Sequence, residues 1–239
     1  MGAAHTGILT IMANAADRQL SRLRLLHLVS PTLPVGAFTY SQGLEWAVEC
    51  GWVASEAALL DWVANLLETG MQQLEVPLLA RLYLACDENN DQALDYWSHY
   101  LVASRETREL REEERNRARA LASLLPELGM SPPAHKLPLI KKCQLTGFAF
   151  AAETWQVPLH DAVAGYLWGW LENITLAGVK IIPLGQAAGQ RIITELTVAV
   201  PQVVERGLQL GDDEIGASCT AQAIASSLHE TQYTRIYRS

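Results

Sequence analysis

Apolar side chains recur along this chain with the spacing of an α-helix. Two stripes carry the pattern most clearly, each covering about three helical turns on one face. They consist of Leu59, Trp62, Val63, Leu66 and Leu67, and of Val163, Leu167, Trp170, Leu171 and Ile174. No stretch longer than a few residues alternates between apolar and polar positions, as a half-buried strand would. The pattern predicts an all-α protein with no sheet.

Capping and helix-breaking residues divide this pattern into about ten helices. Thr39 with Gln42 three residues later is typical of a capping box, which predicts that a helix follows Thr39. Ser55 and Gly70 are expected to bracket the next helix. Pro201 lies inside an otherwise helical run, where its ring and missing N–H predict a kink or a break.

The helices are predicted to pack as one single-domain bundle. The only plausible linker surrounds Pro132 and Pro133, and the composition hardly changes across it. We expect residues 1–19 to be a flexible N-terminus and residues 20–228 to form the helical domain. Residues 229–239 are expected to form a C-terminal tail that docks on a partner.

The composition excludes a disordered chain and favours a protein that binds others. Of the 239 residues, 49% are hydrophobic and 18% are charged, with a net charge of −8. The charged share is below the usual value of about 25%, so few charges remain to cover the surface. Because large exposed apolar patches usually mark binding surfaces, we expect such patches here.

Cysteine usage and hydropathy predict a cytoplasmic protein. The four cysteines include no CxxC pair, which disfavours a disulfide framework or a thiolate zinc site. The densest apolar run, residues 162–171, is too short to cross a bilayer, so no membrane association is predicted.

Residues able to perform catalysis or bind a metal are sparse in the sequence. No HExxH motif, P-loop or nucleophile elbow is present, so we predict no catalytic residue, no resident metal and no cofactor. Asp95 and His99 lie four residues apart and could share an ion, but a zinc site needs three or four ligands. This pair is the best support for an alternative function, a helical metal- or ligand-handling enzyme that uses scattered carboxylates and histidines.

The segment from Arg105 to Arg119 is densely charged. It holds six arginines and five glutamates, and pairs such as Arg105/Glu109 and Glu113/Arg117 lie four residues apart, where opposite charges attract on a helix. We therefore expect an exposed helix that neutralises its own charge, with a docking face for a charged partner as the alternative. The segment is nearly neutral and the whole chain is acidic, so nucleic-acid binding is not expected.

Two further features leave alternatives open. The pairs Gly165/Gly169 and Gly185/Gly189 stand inside helical patterns, where each glycine costs about 1 kcal/mol relative to alanine. Close packing is expected there, either within the chain or against another subunit. The tail is rich in tyrosine and arginine, residue types enriched in binding hot spots. Partner binding, docking on its own chain and disorder are all compatible with its sequence.

Four separated blocks of the chain resemble the UreF family of urease accessory proteins. They are residues 30–45, residues 104–111, residues 177–186 and residues 223–239. The blocks occur in the family's order and extend the resemblance over about residues 22–239. Thr39 stands where the family commonly has serine, which keeps the hydroxyl group.

The resemblance implies an all-helical, non-catalytic chaperone that forms a homodimer. Such a protein is expected to bind UreD, called UreH in some species, and to recruit the GTPase UreG. The complex then engages urease apoprotein and supports nickel delivery to it.

The resemblance also implies roles for individual residues. Lys180, in a Val-Lys-x-x-Pro block, would regulate the GTPase. The tail residues that would dock UreD are Tyr233, Arg235, Tyr237 and Arg238. The partner-binding residues in the first block would be Tyr40, Gln42 and Glu45, with a place in the core as the alternative for Tyr40. Gly36 belongs to the same block, with a role in its turn as the alternative. The candidates for a dimer or tunnel surface are Gln186, Gln190 and Arg191.

Overall fold

The structure, a computed structural model, describes residues 16–239, and this part of the chain is built from helices. Residues 16–28 form helix α1, eleven further α-helices lie between Leu44 and His229, and no strand occurs in the described range. The predicted all-α bundle is confirmed. Of the segment 1–19 expected to be flexible, residues 1–15 lie outside the described residues, and residues 16–19 are exposed and helical.

The helices follow one another with short connections. The first half of the chain contains α2 (Leu44–Glu49), α3 (Glu56–Leu66), a π-helix (Leu67–Glu75), α4 (Val76–Asp87), α5 (Asp91–Ser104) and α6 (Arg108–Leu124). The second half contains α7 (Leu137–Ile140), α8 (Gln144–Thr154), α9 (Leu159–Ile181), α10 (Gln186–Thr197), α11 (Val200–Leu208) and α12 (Thr220–His229). Short 3₁₀ turns occur at Ala37–Thr39 and Asp212–Glu214.

Helix α4 lies at the centre of the core. It packs against α5, α8, α9 and α11, and its residues Leu78, Leu79 and Leu82 are fully buried. Helix α6 packs on α8, and α12 packs on both α2 and α6. The contact of α12 with α2 brings the end of the chain back to the first resemblance block, residues 30–45.

Two predicted boundaries at glycine or threonine are wrong. Gly70 does not end a helix, because the π-helix continues through it and buries Leu67, Met71 and Leu74 on its inner side. Thr39 does not cap a helix either. Its hydroxyl donates to the carbonyl of Gly36 within a 3₁₀ turn, and the helix begins only at Leu44, after two residues with positive φ.

Two other predicted boundaries are confirmed. The Ser55 hydroxyl accepts a hydrogen bond from the Ala58 N–H at 3.2 Å and caps α3. The chain breaks where Pro201 predicts it, since α10 ends at Thr197 and Pro201 lies in the first turn of α11. Among the described residues, no helix is both long enough and apolar enough to cross a membrane.

Three of the four paired glycines serve packing within the chain. A Cβ on Gly165 would come within 2.7 Å of the Leu25 side chain, and one on Gly169 within 3.4 Å of Val29. A Cβ on Gly189 would meet Val179 at 2.8 Å, whereas one on Gly185 meets nothing within 4 Å. The first pair therefore seats α1 on α9, and Gly189 brings α10 close to α9.

Gly207 allows a close contact between α11 and the π-helix. A Cβ there would lie 2.7 Å from the backbone oxygen of Gln72 and 2.6 Å from Val76. We expect Gly207→Ala to lower the free energy of unfolding by about 1–3 kcal/mol, since backbone atoms cannot move aside cheaply. Gly70→Ala, in the same π-helix with open space around it, should instead be neutral or stabilise by up to about 1 kcal/mol. Urea unfolding measures both, and equal effects would contradict this account of α11 packing.

Candidate functional site

Three helix ends meet where the tail returns to the body of the protein. Glu45 lies in the first turn of α2, Glu109 in the first turn of α6, and His229 is the last residue of α12. All three side chains are buried, His229 completely. Helix N-termini favour carboxylates, as at Glu45 and Glu109, and helix C-termini favour cations.

His229 bridges the two carboxylates. Its Nδ1 lies 2.6 Å from Oε2 of Glu109, and its Nε2 lies 3.2 Å from Oε2 of Glu45. Both distances are within hydrogen-bonding range, so both ring nitrogens are occupied within the chain. We call these three residues, His229, Glu45 and Glu109, the tail receptor.

The tail receptor holds the last residues of the chain. The N–H groups of Ile236 and Tyr237 donate to the two carboxylate oxygens of Glu45 at 2.6 and 2.8 Å. The Arg235 guanidinium donates to Glu109 at 2.7 Å. Residues 235–239 thus dock on their own chain, which is one of the three alternatives that the sequence left open.

Main-chain bonds extend this docking to the first sequence block. The Arg238 N–H donates to the carbonyl of Thr39 at 2.9 Å, and the Ser41 N–H donates to the carbonyl of Ser239 at 2.7 Å. Tyr237 is largely buried, and burial together with the Glu45 charge raises the pKa of its hydroxyl. The first and last resemblance blocks therefore form one surface.

Residues next to His229 fix the start of α6. The Glu230 carboxylate accepts from the N–H groups of Arg108 and Glu109 at 2.8 and 3.3 Å. The Thr107 hydroxyl accepts from the Leu110 N–H at 3.2 Å. Sequence reasoning missed this double cap. A threonine directly before the charged helix is the signal that could have revealed half of it.

Apolar side chains remain exposed on and beside the docked tail. Tyr233 is fully exposed, and Phe38 and Ile236 are each more than 60% exposed. We call the exposed apolar side chains of the 3₁₀ turn Ala37–Thr39, of α12 and of the tail the tail face: Phe38, Ile224, Leu228, Tyr233 and Ile236. This is the kind of exposed apolar surface that the low charge content predicted.

Lys180 lies close to the same region. It is exposed near the end of α9, and its Nζ lies 5.8 Å from the centre of the Tyr237 ring, within the range of a cation–π contact. A groove beside the tail is lined by Tyr40, Arg108, Glu112, Asn116, Arg235 and Arg238. Lys180 and Tyr237 are in contact although they are 57 residues apart in the sequence.

Gln42 and Glu45 do not face solvent. Gln42 donates to Glu113 and accepts from the Trp170 indole N–H, both at 3.0 Å. Tyr40 is also buried. The residues of the first block that were expected to bind a partner therefore act within the chain, by holding the tail and α6 in place. Gly36 has a φ of 72° and forms the turn ahead of them.

The charged helix α6 is not the exposed, self-neutralising helix expected from its sequence. Glu109, Glu113 and Glu114 are buried. Glu113 does pair with Arg117, at 3.0 Å, but Arg105 does not pair with Glu109. Its guanidinium instead lies between Glu75, at 2.7 Å, and Glu114, at 3.0 Å. Arg105 precedes α6, so the four-residue helical spacing does not apply to it.

The neighbouring carboxyl groups of Glu113 and Glu114 differ in their electrostatic surroundings. Burial raises the pKa of Glu113 despite the opposing charges of Arg117 and Arg105. Burial also disfavours ionised Glu114, but Arg105 and Arg117, together with a backbone N–H, lower its pKa below the ordinary value. Glu114 also accepts from the Gln144 N–H at 2.6 Å and so tethers the start of α8.

The residues proposed for a dimer or tunnel surface lie on a different helix. Gln186, Gln190 and Arg191 are exposed on α10, which packs mainly on α9 and α3. Arg191 forms a bidentate pair with Glu56 at 2.6 and 2.7 Å. The structure does not bring these three residues to the tail receptor.

Asp95 and His99 form a pair but not a larger site. His99 Nδ1 lies 3.3 Å from Asp95, while its Nε2 contacts the ammonium group of Lys142. A neighbouring cation opposes metal binding at that nitrogen. Within residues 16–239, no group of three or more His, Cys, Asp and Glu side chains is arranged to hold an ion.

The opposite pKa shifts of Glu113 and Glu114 predict opposite pH effects on stability. Because the pKa of Glu114 is lowered on folding, its contribution to the free energy of unfolding is full above pH 4.5 and is lost as the pH falls below that value. Because the pKa of Glu113 is raised, its contribution declines as the pH rises from 4.5 through the raised value. We expect Glu114→Gln to flatten the pH dependence of the unfolding free energy below 4.5 and Glu113→Gln to change it above 4.5. Urea unfolding over a pH series measures this, and Glu112→Gln, an exposed site on the same helix, should leave the curve unchanged.

Comparison with known proteins identifies the family of this chain. A model of the UreF family matches residues 53–197. The urease accessory protein UreF of Alcanivorax borkumensis is 47% identical over 225 residues, which cover 90% of this chain and 97% of the relative. The corresponding protein of Enterobacter sp. is 44% identical over 223 residues, and that of Alkalilimnicola ehrlichii is 43% identical over 228 residues. These matches cover 93% and 95% of this chain and all of each relative. With the family model matching more than half of its length, the chain belongs to the UreF family of urease accessory proteins.

Proposed function

We propose that this protein is a non-catalytic chaperone of urease maturation that binds UreD (UreH) through the tail face. The observation that carries this proposal is the exposed apolar set around a tail held by buried hydrogen bonds. A side chain such as that of Ile236, exposed on the docked segment, loses little entropy when it binds. The chain belongs to a family of urease accessory proteins, which supports a role in urease maturation.

The assembly that we propose contains UreG and urease apoprotein besides UreD. Lys180 lies beside the docked tail, so a partner on the tail face would border the residue proposed to regulate the GTPase. The exposed polar residues of α10, among them Gln190 and Arg191, remain candidates for a homodimer or tunnel surface. In this proposal nickel is cargo of the complex, and the chain holds no resident metal.

A cytoplasmic location is part of the proposal. The four cysteines are free thiols, and Cys86 and Cys143 are buried. Burial raises the pKa of Cys86 to about 12, which keeps it as an unreactive thiol. These observations suit a reducing compartment.

Removal of the tail-face side chains should weaken UreD binding without undocking the tail. In the double variant Tyr233→Ala, Ile236→Ala, the backbone N–H of residue 236 can still donate to Glu45. We expect the affinity for UreD of the same organism to fall at least about tenfold, as for loss of an interface hot spot. Calorimetry or co-purification measures this. Val198→Ala, another exposed apolar site, at the end of α10, is the control. Unchanged affinity in the double variant would contradict the assignment of the tail face.

Substitution of Lys180 should change GTP hydrolysis by UreG in the assembled complex. Lys180→Ala removes an exposed ammonium group that makes a cation–π contact and no buried ion pair, so the fold and the UreD complex should persist. We expect the hydrolysis rate to differ from that of the wild-type complex, while Lys141→Ala, another exposed lysine, has no effect. An unaltered rate in a complex of normal composition would exclude a regulatory role for Lys180.

A further inference from the structure

The contacts of His229 require two protons among three buried side chains. Each ring nitrogen faces a carboxylate oxygen, and neither pair can form a hydrogen bond without a proton between its atoms. A neutral imidazole supplies only one of the two. The second proton can lie on the ring or on a facing carboxyl group. A proton on the ring suits its position at the C-terminal end of α12, and it leaves Glu45 ionised as the acceptor for the two tail N–H groups.

The charges around this imidazolium balance when the tail is docked. Glu45 faces it from α2 and Glu109 from α6, and Arg235 of the tail binds the far oxygen of Glu109. Two carboxylates and two cations therefore cancel. Of the other charged groups nearby, Glu230 follows His229 and is directed to the start of α6 and to Arg108, at 3.6 Å. Water does not screen these charges at the ring, because His229 is completely buried.

Loss of the second proton would destabilise this arrangement. One nitrogen would then turn a lone pair toward a carboxylate oxygen, at 2.6 or 3.2 Å, in a site with low exposure. A buried acceptor facing another acceptor forfeits its hydrogen bond and bears the full cost of desolvation. The two carboxylates would relax apart, and Glu45 is also the acceptor for two N–H groups of the tail.

We infer that His229 is a proton-dependent clasp for the tail. With the ring protonated, Glu45 and Glu109 are held as acceptors, and residues 235–239 stay docked. When the proton leaves as the pH rises, this segment detaches and becomes available to other proteins. His229 is a positioning residue in this inference, which concerns the chain alone and does not rest on the proposed function.

The wild-type full chain provides the main test. Nitrogen NMR of ¹⁵N-histidine-labelled protein reports whether both ring nitrogens of His229 carry protons. Hydrogen exchange at the N–H groups of Ile236 and Tyr237 reports tail docking. As the pH is raised through and beyond the range in which histidines change charge, we expect the imidazolium signal of His229 to disappear. Protection of the two N–H groups, corrected for intrinsic exchange, should fall about tenfold or more over the same interval.

Two variants separate the proton from the side chain's shape. His229→Gln has one donor nitrogen in place of the two ring nitrogens and cannot become a cation, so protection at residues 236 and 237 should be low throughout and independent of pH. His99→Gln changes an exposed histidine and should keep the wild-type profile. If His229→Gln does not fold, the wild-type titration still decides. A neutral ring across the whole range, or tail protection that does not follow the ring signal, would overturn the inference.

Discussion

The burial of carboxylates along α6 and its neighbours is the constraint on which the rest of the structure depends. An unpaired charge in the interior costs several kcal/mol, so each buried glutamate must find a cation or donors in a fixed place. Glu114 ties α6 to Arg105 and to the start of α8, and Glu113 ties it to Gln42. Glu109 ties it to the end of the chain. Each of these pairs fixes the position of a different element.

This constraint explains why a short tail is ordered on a helical body. The tail buries little apolar area, and Tyr237 is its main buried side chain apart from Ser239. Its position is set instead by donors that match acceptors already held at helix ends, above all the two oxygens of Glu45. Hydrogen bonds to charged groups are stronger than neutral ones, which offsets the entropy lost by a segment of five residues.

The structure shows where the few charged residues of the chain lie. A large part of the charge on α6 is used inside the protein, which leaves still fewer charged groups for the surface. Exposed apolar side chains include those of the tail face and a row on α1, which consists of Leu20, Leu23 and Leu26. Gly165 and Gly169, which looked like candidates for a subunit contact, instead seat α1 on α9.

The sequence by itself determined the helices and the family. Helical periodicity, the Ser55 cap and the Pro201 break are local signals, because they arise between residues a few positions apart, and the motif blocks indicated the family. The helix end predicted at Gly70 is wrong because the burial of Leu67 and Met71 outweighs the small free-energy cost of a glycine within a helix. The ion-pair partners of the charged residues could be found only in the tertiary structure. The free energy of a charge such as that of Arg105 or Glu109 differs between water and the protein interior, and the sequence does not show which of the two surrounds it. His229 meets Glu45 across 184 residues of sequence. Only the packing of α12 on α2 and α6 decides that these two side chains are buried together.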